Sequence, residues 1–551
     1  MTQNLFEKHK AILDDAIKTL GTRGYYTPYP ENPKAYAEDS DQKAKAYISS
    51  VMNNNFDELH QGKGENWIGG EISPFLQLGI GVKYPSYSIS TYVQNGLNAQ
   101  KVWSKASTEV RAGILIESLD RIKNRFFDIA YATMHTTGQG YMMAFQASGP
   151  HSNDRALEAI ATGYAELNRI PHKAQWVKPM GKFDLTLSKT WKAQPKGLGL
   201  VIGCSTFPVW NTFPGLYANL ITGNATIVKP HPKSILPIAI AVAEIQKVLL
   251  EQGFDPCTVQ LAADEIDQPI TKKLAESNSI KLIDYTGGSE FGDYIEKLPK
   301  TVFTEKAGVN SIIIDSVKDI KAVLGNIAFS SCLYSGQMCT APQNIFVSKE
   351  GVKTDEGNIS FDEFVGALCQ AITGLVDNPK AGAPTLGAIQ NELTYNRVTN
   401  IGTYGGELAL ASKNIVNEEF KDARTATPAV VVMNEADYNL FNQECFGPIV
   451  FVIKTENTAQ SISLAKKLAE EKGAITCGAY TTDAETQELI AEEMNSVFTP
   501  VSFNFTGAAF INSHAAFSDF HVTGGNAAGN ASLTSTEFIV KRFVWVGNRY
   551  A

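Results

Sequence analysis

Leu198-Gly199-Leu200-Val201-Ile202-Gly203 is a short apolar run, and Ala225-Thr226-Ile227-Val228-Lys229 is another further along the chain. Both are too short for a helix of ordinary length and read as buried strands. After Lys229, the residues Ile238, Val242, Ile245 and Leu249 fall on one helical face. Val259–Ala263 and Ile280–Tyr285 read as two further strands. Strands interleaved with helices at this rhythm form βαβ units, so the expected class is α/β with a parallel sheet.

Beyond Glu305 a second α/β block is expected. Strand Ile312–Ile314 leads to a helix around 319–331, then a loop carrying Cys339, then strand Ile345–Val347. No Pro- or Ser-rich linker separates the blocks, so they should pack around a shared cleft, the usual place for a ligand. Towards the N-terminus, Lys178–Lys192 is polar with alternating Phe183, Leu185 and Leu187, which predicts a strand or hairpin projecting from the main body. Val110, Leu115, Leu119, Ile122, Phe126 and Ile129 predict one amphipathic helix ending by Gly138–Gly140. Residues 1–100 mix polar turns with Gly-rich pieces and carry the least information.

The bulk composition narrows the function. At 551 residues the chain suggests about three structural units. With 44% hydrophobic and 19% charged residues it can bury a large core. The net charge of −9 is spread without long blocks, which disfavours a nucleic-acid surface. Met1–Lys10 lacks a basic-then-apolar leader, and no apolar run is long enough to span a bilayer. The seven cysteines show no CxxC pair and no Cys/His ligand spacing, so neither a disulfide scaffold nor a zinc site is expected. Reduced thiols in a cytoplasmic protein fit that count.

Four short stretches carry chemistry. Val228-Lys229-Pro230-His231-Pro232 sits at a strand's C-terminal end, where ligands bind in open α/β sheets. Tyr285-Thr286-Gly287-Gly288-Ser289-Glu290-Phe291-Gly292 follows a strand, and its glycines permit close backbone approach to an anion at a helix start. The Gly197-Leu198-Gly199 pattern lies before or within a strand and lacks that context, so it is discounted. Phe303-Thr304-Glu305-Lys306-Ala307-Gly308 offers a carboxylate that can activate water, and Ser335-Gly336-Gln337-Met338-Cys339-Thr340 offers a thiol nucleophile. Taken singly, such a Lys is commonly a solvated strand end and such a Cys a small buried hydrophobe.

In that order, together with Glu444-Cys445-Phe446-Gly447-Pro448, these stretches resemble the aldehyde dehydrogenase superfamily from about Trp103 onward. The interval of 34 between Glu305 and Cys339 also matches the family's usual one. The resemblance implies two doubly wound α/β domains, one for cofactor and one for catalysis, plus a small β oligomerisation element. It would assign 1–176 and 196–305 to cofactor binding, with 1–100 an extended N-terminal part. Residues 306–525 would be catalytic, and 177–195 with 526–551 would serve assembly into a homodimer or homotetramer.

It implies that Cys339 attacks an aldehyde, that hydride leaves to NAD or NADP, and that Glu305 activates water to release the acid. Lys229 would bind the adenosine ribose. Gly287, Gly288, Ser289 and Gly292 would face the pyrophosphate, and Glu444 and Phe446 would position the nicotinamide ribose and ring. No metal ligand and no membrane or nucleic-acid partner is implied.

Three positions depart from the family pattern. Where the family commonly has an Asn donating to the oxyanion, alignment through Lys229 places Thr206, while Asn211 lies about five residues too close to Lys229. Where many NAD-preferring members have a Glu, Pro232 followed by Lys233 stands here, so discrimination against the 2′-phosphate of NADP should relax. Ala307 replaces a frequent Gly. The long front segment, Glu305–Ser311 and Phe520–Asn526 resemble the phenylacetic acid degradation group called PaaN. That resemblance implies an aldehyde formed after ring opening of a phenylacetate-derived CoA thioester. Two alternatives stay open: a CoA-acylating aldehyde dehydrogenase, and a catalytically silent homologue with a binding role.

Overall fold

Five parallel strands form the first sheet, in the spatial order Val259–Leu261, Thr226–Lys229, Leu198–Ile202, Ile280–Thr286, Thr301–Glu305. The computed structural model describes residues 4–510, 516–517 and 521–551. The chain starts in the middle of this sheet, builds outward to one side, then returns to build the other. Strand order therefore reverses between Leu198–Ile202 and Ile280–Thr286, which opens a crevice at the strands' C-terminal ends. Register aligns those ends: Ile202 lies opposite both Lys229 and Tyr285, and Thr286 lies opposite Glu305. Both faces are covered, with Leu200, Ile227 and Ile283 packing on one side and Val201, Val228 and Leu261 on the other. Burial on both faces explains why these strands read as unbroken apolar runs.

The second sheet has seven strands, in the order Glu407–Leu410, Ala429–Asn434, Ile449–Thr455, Asn344–Ser348, Ser311–Ile314, Cys477–Tyr480, Val501–Phe503. Only the edge strand Glu407–Leu410 runs antiparallel to its neighbour. The α/β class expected from the sequence is the one observed.

The predicted projecting hairpin is present as Lys173–Pro179 paired with Asp184–Pro195, and the C-terminal strand Phe543–Tyr550 completes an antiparallel three-stranded sheet. At its root the fully buried Arg542 guanidinium pairs with both oxygens of Asp284, at 2.6 and 2.8 Å, and with Asn219 Oδ1 at 2.7 Å. That ion pair anchors the C-terminal strand to the first sheet.

One expectation is corrected. The periodic stretch from Val110 is two helices, Thr108–Lys123 and Phe126–Thr137, broken at Asn124-Arg125. At the break Arg125 pairs with Glu58, Asp128 and Glu244. It does end at Gly138, whose φ of 84° suits glycine. The uninformative front segment contains the helices Leu5–Thr22 and Ser40–Val51, which dock on Thr108–Lys123 and Phe126–Thr137 respectively. No helix among the described residues is long and apolar enough to cross a membrane.

Candidate active site

Cys339 follows a tight turn in which Tyr334, Ser335 and Gly336 all have positive φ, at 51°, 50° and 61°. Two of the three carry side chains, so this backbone is held by its surroundings. Ser335 Oγ donates to the Leu386 carbonyl at 3.0 Å, and the Tyr334 hydroxyl donates to the Thr137 carbonyl at 2.7 Å. A side chain at Gly336 would meet the Gly447 carbonyl at 2.5 Å, so only glycine fits there. After the turn, Asn310 Nδ2 donates to the Cys339 and Ala341 carbonyls, while its Oδ1 accepts from the Ile475 and Thr476 amides. One buried amide thus ties the thiol loop to the second sheet.

Glu305 ends its strand with its side chain buried at the same place. The Cys339 thiol donates to Glu305 Oε1 at 3.5 Å, Asn211 Nδ2 donates at 2.8 Å, and His521 Nε2 lies 2.8 Å away. His521 Nε2 is also 3.7 Å from the sulfur. Burial by itself pushes the Glu305 carboxyl up. The charge and N–H of His521, the charge of Arg155 and the Asn211 amide outweigh burial and hold it below its ordinary value. The Cys339 thiol is pushed well above its ordinary value, first by burial and then by the Glu305 charge. The group is therefore a protonated thiol facing an ionised carboxylate.

Two cavities meet at this point. A cleft of about 720 Å³ runs along the crevice of the first sheet and is lined by Lys229, Gly287, Gly288, Glu444 and Phe446 as well as Glu305 and Cys339. A second cavity of about 560 Å³ reaches Cys339 from the other side. Met142, Phe207, Trp210, Phe329 and Phe510 give it an apolar wall, and among the described residues no Lys or Arg lines it. Phe207, Asn211 and Cys339 belong to both. A long, partly polar groove joined to an apolar pocket at one thiol suits a two-substrate reaction.

The profile of the Aldehyde dehydrogenase family matches residues 85–530, most of the chain. The chain belongs to the aldehyde dehydrogenase family. This is a family of enzymes that take NAD or NADP as cofactor. An NAD-dependent aldehyde dehydrogenase from Burkholderia multivorans superposes with a TM-score of 0.97 at 44% identity, covering 100% of this chain and 99% of the other. Lactaldehyde dehydrogenase from Methanococcus maripaludis is 25% identical over 310 residues, which are 55% of this chain and 62% of the relative. The Bacillus subtilis 1-pyrroline-5-carboxylate dehydrogenase is 22% identical over 391 residues, 68% of this chain and 70% of its own. The alignment with the lactaldehyde enzyme thus spans under two thirds of that relative.

The sequence-selected residues divide into groups within this aldehyde dehydrogenase fold. Cys339 and Glu305 are in contact. Lys229, Gly287, Gly288, Glu444, Phe446 and Thr206 line the cleft. Lys229 is buried with Nζ 2.6 Å from Asp264 Oδ1 and 2.6 Å from the Pro230 carbonyl it donates to. The Glu444 carboxyl is pushed up to about 7, by burial that the charge of Arg397 only partly offsets.

Ser289 and Gly292 lie outside the cleft lining. Ser289 is an exposed first residue of helix Ser289–Glu296, and Gly292 is buried where a side chain would meet Lys306 Cδ at 2.5 Å. For Gly292 the pattern reflects helix packing. Phe520, part of the tail resemblance, lies outside the described residues.

Linear spacing set Asn211 aside, yet its amide reaches Glu305. It sits in the first turn of helix Pro208–Ile221, so helix rotation aims it at the site. His521 had no signal beyond its place in the tail stretch, because its partner Glu305 is 216 residues away.

Proposed function

We propose that the protein oxidises an aldehyde to a carboxylic acid with NAD or NADP, through a thiohemiacetal and then a thioester on Cys339. The observation that carries this reading is the thiol at the junction of two cavities with Glu305 Oε1 3.5 Å away. Glu305 takes the thiol proton as sulfur bonds to the aldehyde carbon. A dinucleotide held in the cleft lined by Lys229, Gly287, Gly288, Glu444 and Phe446 would supply the hydride acceptor for oxidation to the thioester. Glu305, having released its proton to solvent, then takes one from water; the water oxygen bonds to the thioester carbon as the C–S bond breaks, and the Cys339 thiolate regains a proton from Glu305. Asn211, which lines both cavities as Cys339 does, would supply a side-chain donor to the developing oxyanion, and Thr206 also lines the cleft.

Lys229 would hold the adenosine ribose, Gly287 and Gly288 would leave room for the pyrophosphate, and Glu444 with Phe446 would flank the nicotinamide end. Ser289 and Gly292 support that turn from outside the cleft. Lys233 and Lys272 also line the cleft, which favours the 2′-phosphate of NADP over strict use of NAD.

The resemblance to the PaaN group points to an aldehyde from ring opening of a phenylacetate-derived CoA thioester. The apolar second cavity suits the carbon chain of such a substrate. With no cation lining that cavity among the described residues, a CoA nucleotide would stay outside it. In this reading 1–176 and 196–305 bind cofactor, and 306–525 carry the catalytic part. Residues 177–195 with 526–551 would join copies of the chain into a dimer or tetramer. Trp176, Val177, Val544 and Val546, exposed on the three-stranded sheet, and Phe183, exposed in its turn, supply apolar surface for that contact.

The test is NAD(P)H formation from aliphatic and aromatic aldehydes, with and without CoA, for wild type and Cys339→Ala. Turnover without CoA that is lost in the variant supports the hydrolytic reading. Turnover only with CoA moves the assignment to acylation, and no turnover under any condition leaves the silent homologue.

A further inference from the structure

His521 is buried and wedged between Glu305 and Trp210. Its Nε2 lies 2.8 Å from Glu305 Oε1 and 3.7 Å from Cys339 Sγ. Its ring meets the Trp210 ring edge-on, with centroids 4.6 Å apart. Trp210 is fixed in turn by Arg155, whose guanidinium sits 3.6 Å over the ring and donates to the Trp210 carbonyl at 2.9 Å. A stack of three buried side chains, Arg155, Trp210 and His521, thus ends on one carboxylate oxygen, and that oxygen also faces the thiol.

We propose that His521 is a positioning residue for the base: its Nε2–H holds Glu305 Oε1 against Cys339 and keeps the carboxylate ionised there. This rests on the reading of Glu305 as the base. A carboxylate accepts and does not donate, so a 2.8 Å contact to an ionised Glu305 requires the proton on Nε2. With that proton kept by His521, the thiol is the third and longest contact to Oε1, at 3.5 Å beside the 2.8 Å contacts of His521 and Asn211, and its proton is the one Glu305 can take. Transfer then breaks S–H and forms O–H on Glu305, leaving a thiolate whose charge faces the same imidazole N–H. Asn211 supplies a second donor to Oε1, but as a neutral amide it favours the charged form less.

Charged and titratable groups facing the pair, among the described residues, are Arg155 from helix Pro150–Leu167, Cys339, beyond it Cys204 and Glu444, and, lining the second cavity, Tyr25, Glu31 and His151. Arg155 also favours ionised Glu305 and is unaltered in every variant below. Removing His521 therefore exposes its own share: burial raises the carboxyl, and the thiolate loses a neighbouring donor.

The test compares His521→Phe, His521→Asn and His521→Gln. Phe keeps the ring against Trp210 and loses the donor. Asn is too short to reach Oε1, and Gln can restore an N–H near the Nε2 position. Two pH profiles are read: kcat/KM for an aldehyde, and alkylation of Cys339 by iodoacetamide without substrate. In Phe and Asn the acid limb of kcat/KM should move up by about one unit, and alkylation at pH 8 should slow about tenfold. Gln should recover part of both.

Profiles superimposable on wild type in His521→Phe overturn the proposal. If that variant does not fold, the same outcome in His521→Asn does so. Alkylation is measured without turnover, so an enzyme inactive on every aldehyde would count against the proposed function while the His521 arm still gave its answer.

Discussion

Glu305 Oε1 and Cys339 Sγ, 34 residues apart in sequence, stand 3.5 Å apart with the thiol donating. The strand Thr301–Glu305 belongs to the first sheet, and the Cys339 loop belongs to the second. At the end of that strand Gly529 lets the C-terminal tail lie against Thr304-Glu305, where a side chain would meet the Thr304 carbonyl at 2.0 Å.

That contact predicts distinct kinetics for two substitutions. Cys339→Ala should give no NAD(P)H at any time. Glu305→Gln should lower steady-state turnover by roughly 10²–10⁴, the range for loss of a general base. Stopped-flow recording of NAD(P)H decides, and wild-type turnover in Glu305→Gln would remove Glu305 from the base role.

The same pair sets how the thiol responds to pH. Burial and the Glu305 charge both push the Cys339 thiol up, so its alkylation in the free protein should keep rising with pH through 9. Replacing Glu305 by Gln removes a negative charge, favours the thiolate, and should speed alkylation at fixed pH 8. A slower variant would mean that the carboxylate assists the thiolate more by taking its proton than it opposes it by charge.

Asn211 and Thr206 compete for the oxyanion role. Asn211→Ala should cost roughly 10²–10³ in kcat, the usual cost of one lost oxyanion donor. Thr206→Ala should cost far less, since the interaction defined at Thr206 is its carbonyl accepting from Gln139 Nε2 at 2.7 Å. Steady-state kinetics of the two variants rank them directly, and the reverse order would return the role to Thr206.

Cofactor choice should turn on the end of the cleft near Pro232. Pro232→Glu places a carboxylate beside Lys233 and should lower kcat/KM for NADP relative to NAD by about tenfold or more. An unchanged ratio would mean the 2′-phosphate is not read there.

Arg542 offers a stability test away from the chemistry. Arg542→Met leaves Asp284 charged and buried without its partner and should cost about 3–5 kcal/mol. A fall in the denaturant midpoint would report it. A small change would mean that water, with the Asn219 amide that already donates to Asp284 Oδ2 at 3.2 Å, satisfies the carboxylate when the guanidinium is gone.

Much of this was legible along the chain because it is local. Leu198–Gly203, Ala225–Lys229 and Ile280–Tyr285 are unbroken apolar runs since both faces of their sheet are covered, and no partner is needed to see that. The Gly287-Gly288 turn, the interval between Glu305 and Cys339, and the hairpin around Phe183 to Leu187 are local in the same sense. Backbone spacing and side-chain alternation write them into neighbouring residues. The break at Asn124-Arg125 was less legible, since the apolar period runs on through it, and Arg125 pairs there with the distant carboxylates of Glu58 and Glu244.

Tertiary structure alone decided what stands around the thiol. Asn211 reaches Glu305 through the rotation of a helix, which linear spacing does not record. His521 meets Glu305 across 216 residues, and Asn310 ties the Cys339 loop to Ile475 and Thr476. The front segment, ahead of the family match, supplies Tyr25 and Glu31 to the apolar cavity. Sequence determined which elements form and which groups can react, because those follow from local periodicity and residue chemistry. Which groups touch was decided by packing, because a buried hydrogen bond depends on direction and distance in space and leaves no periodic trace in the chain.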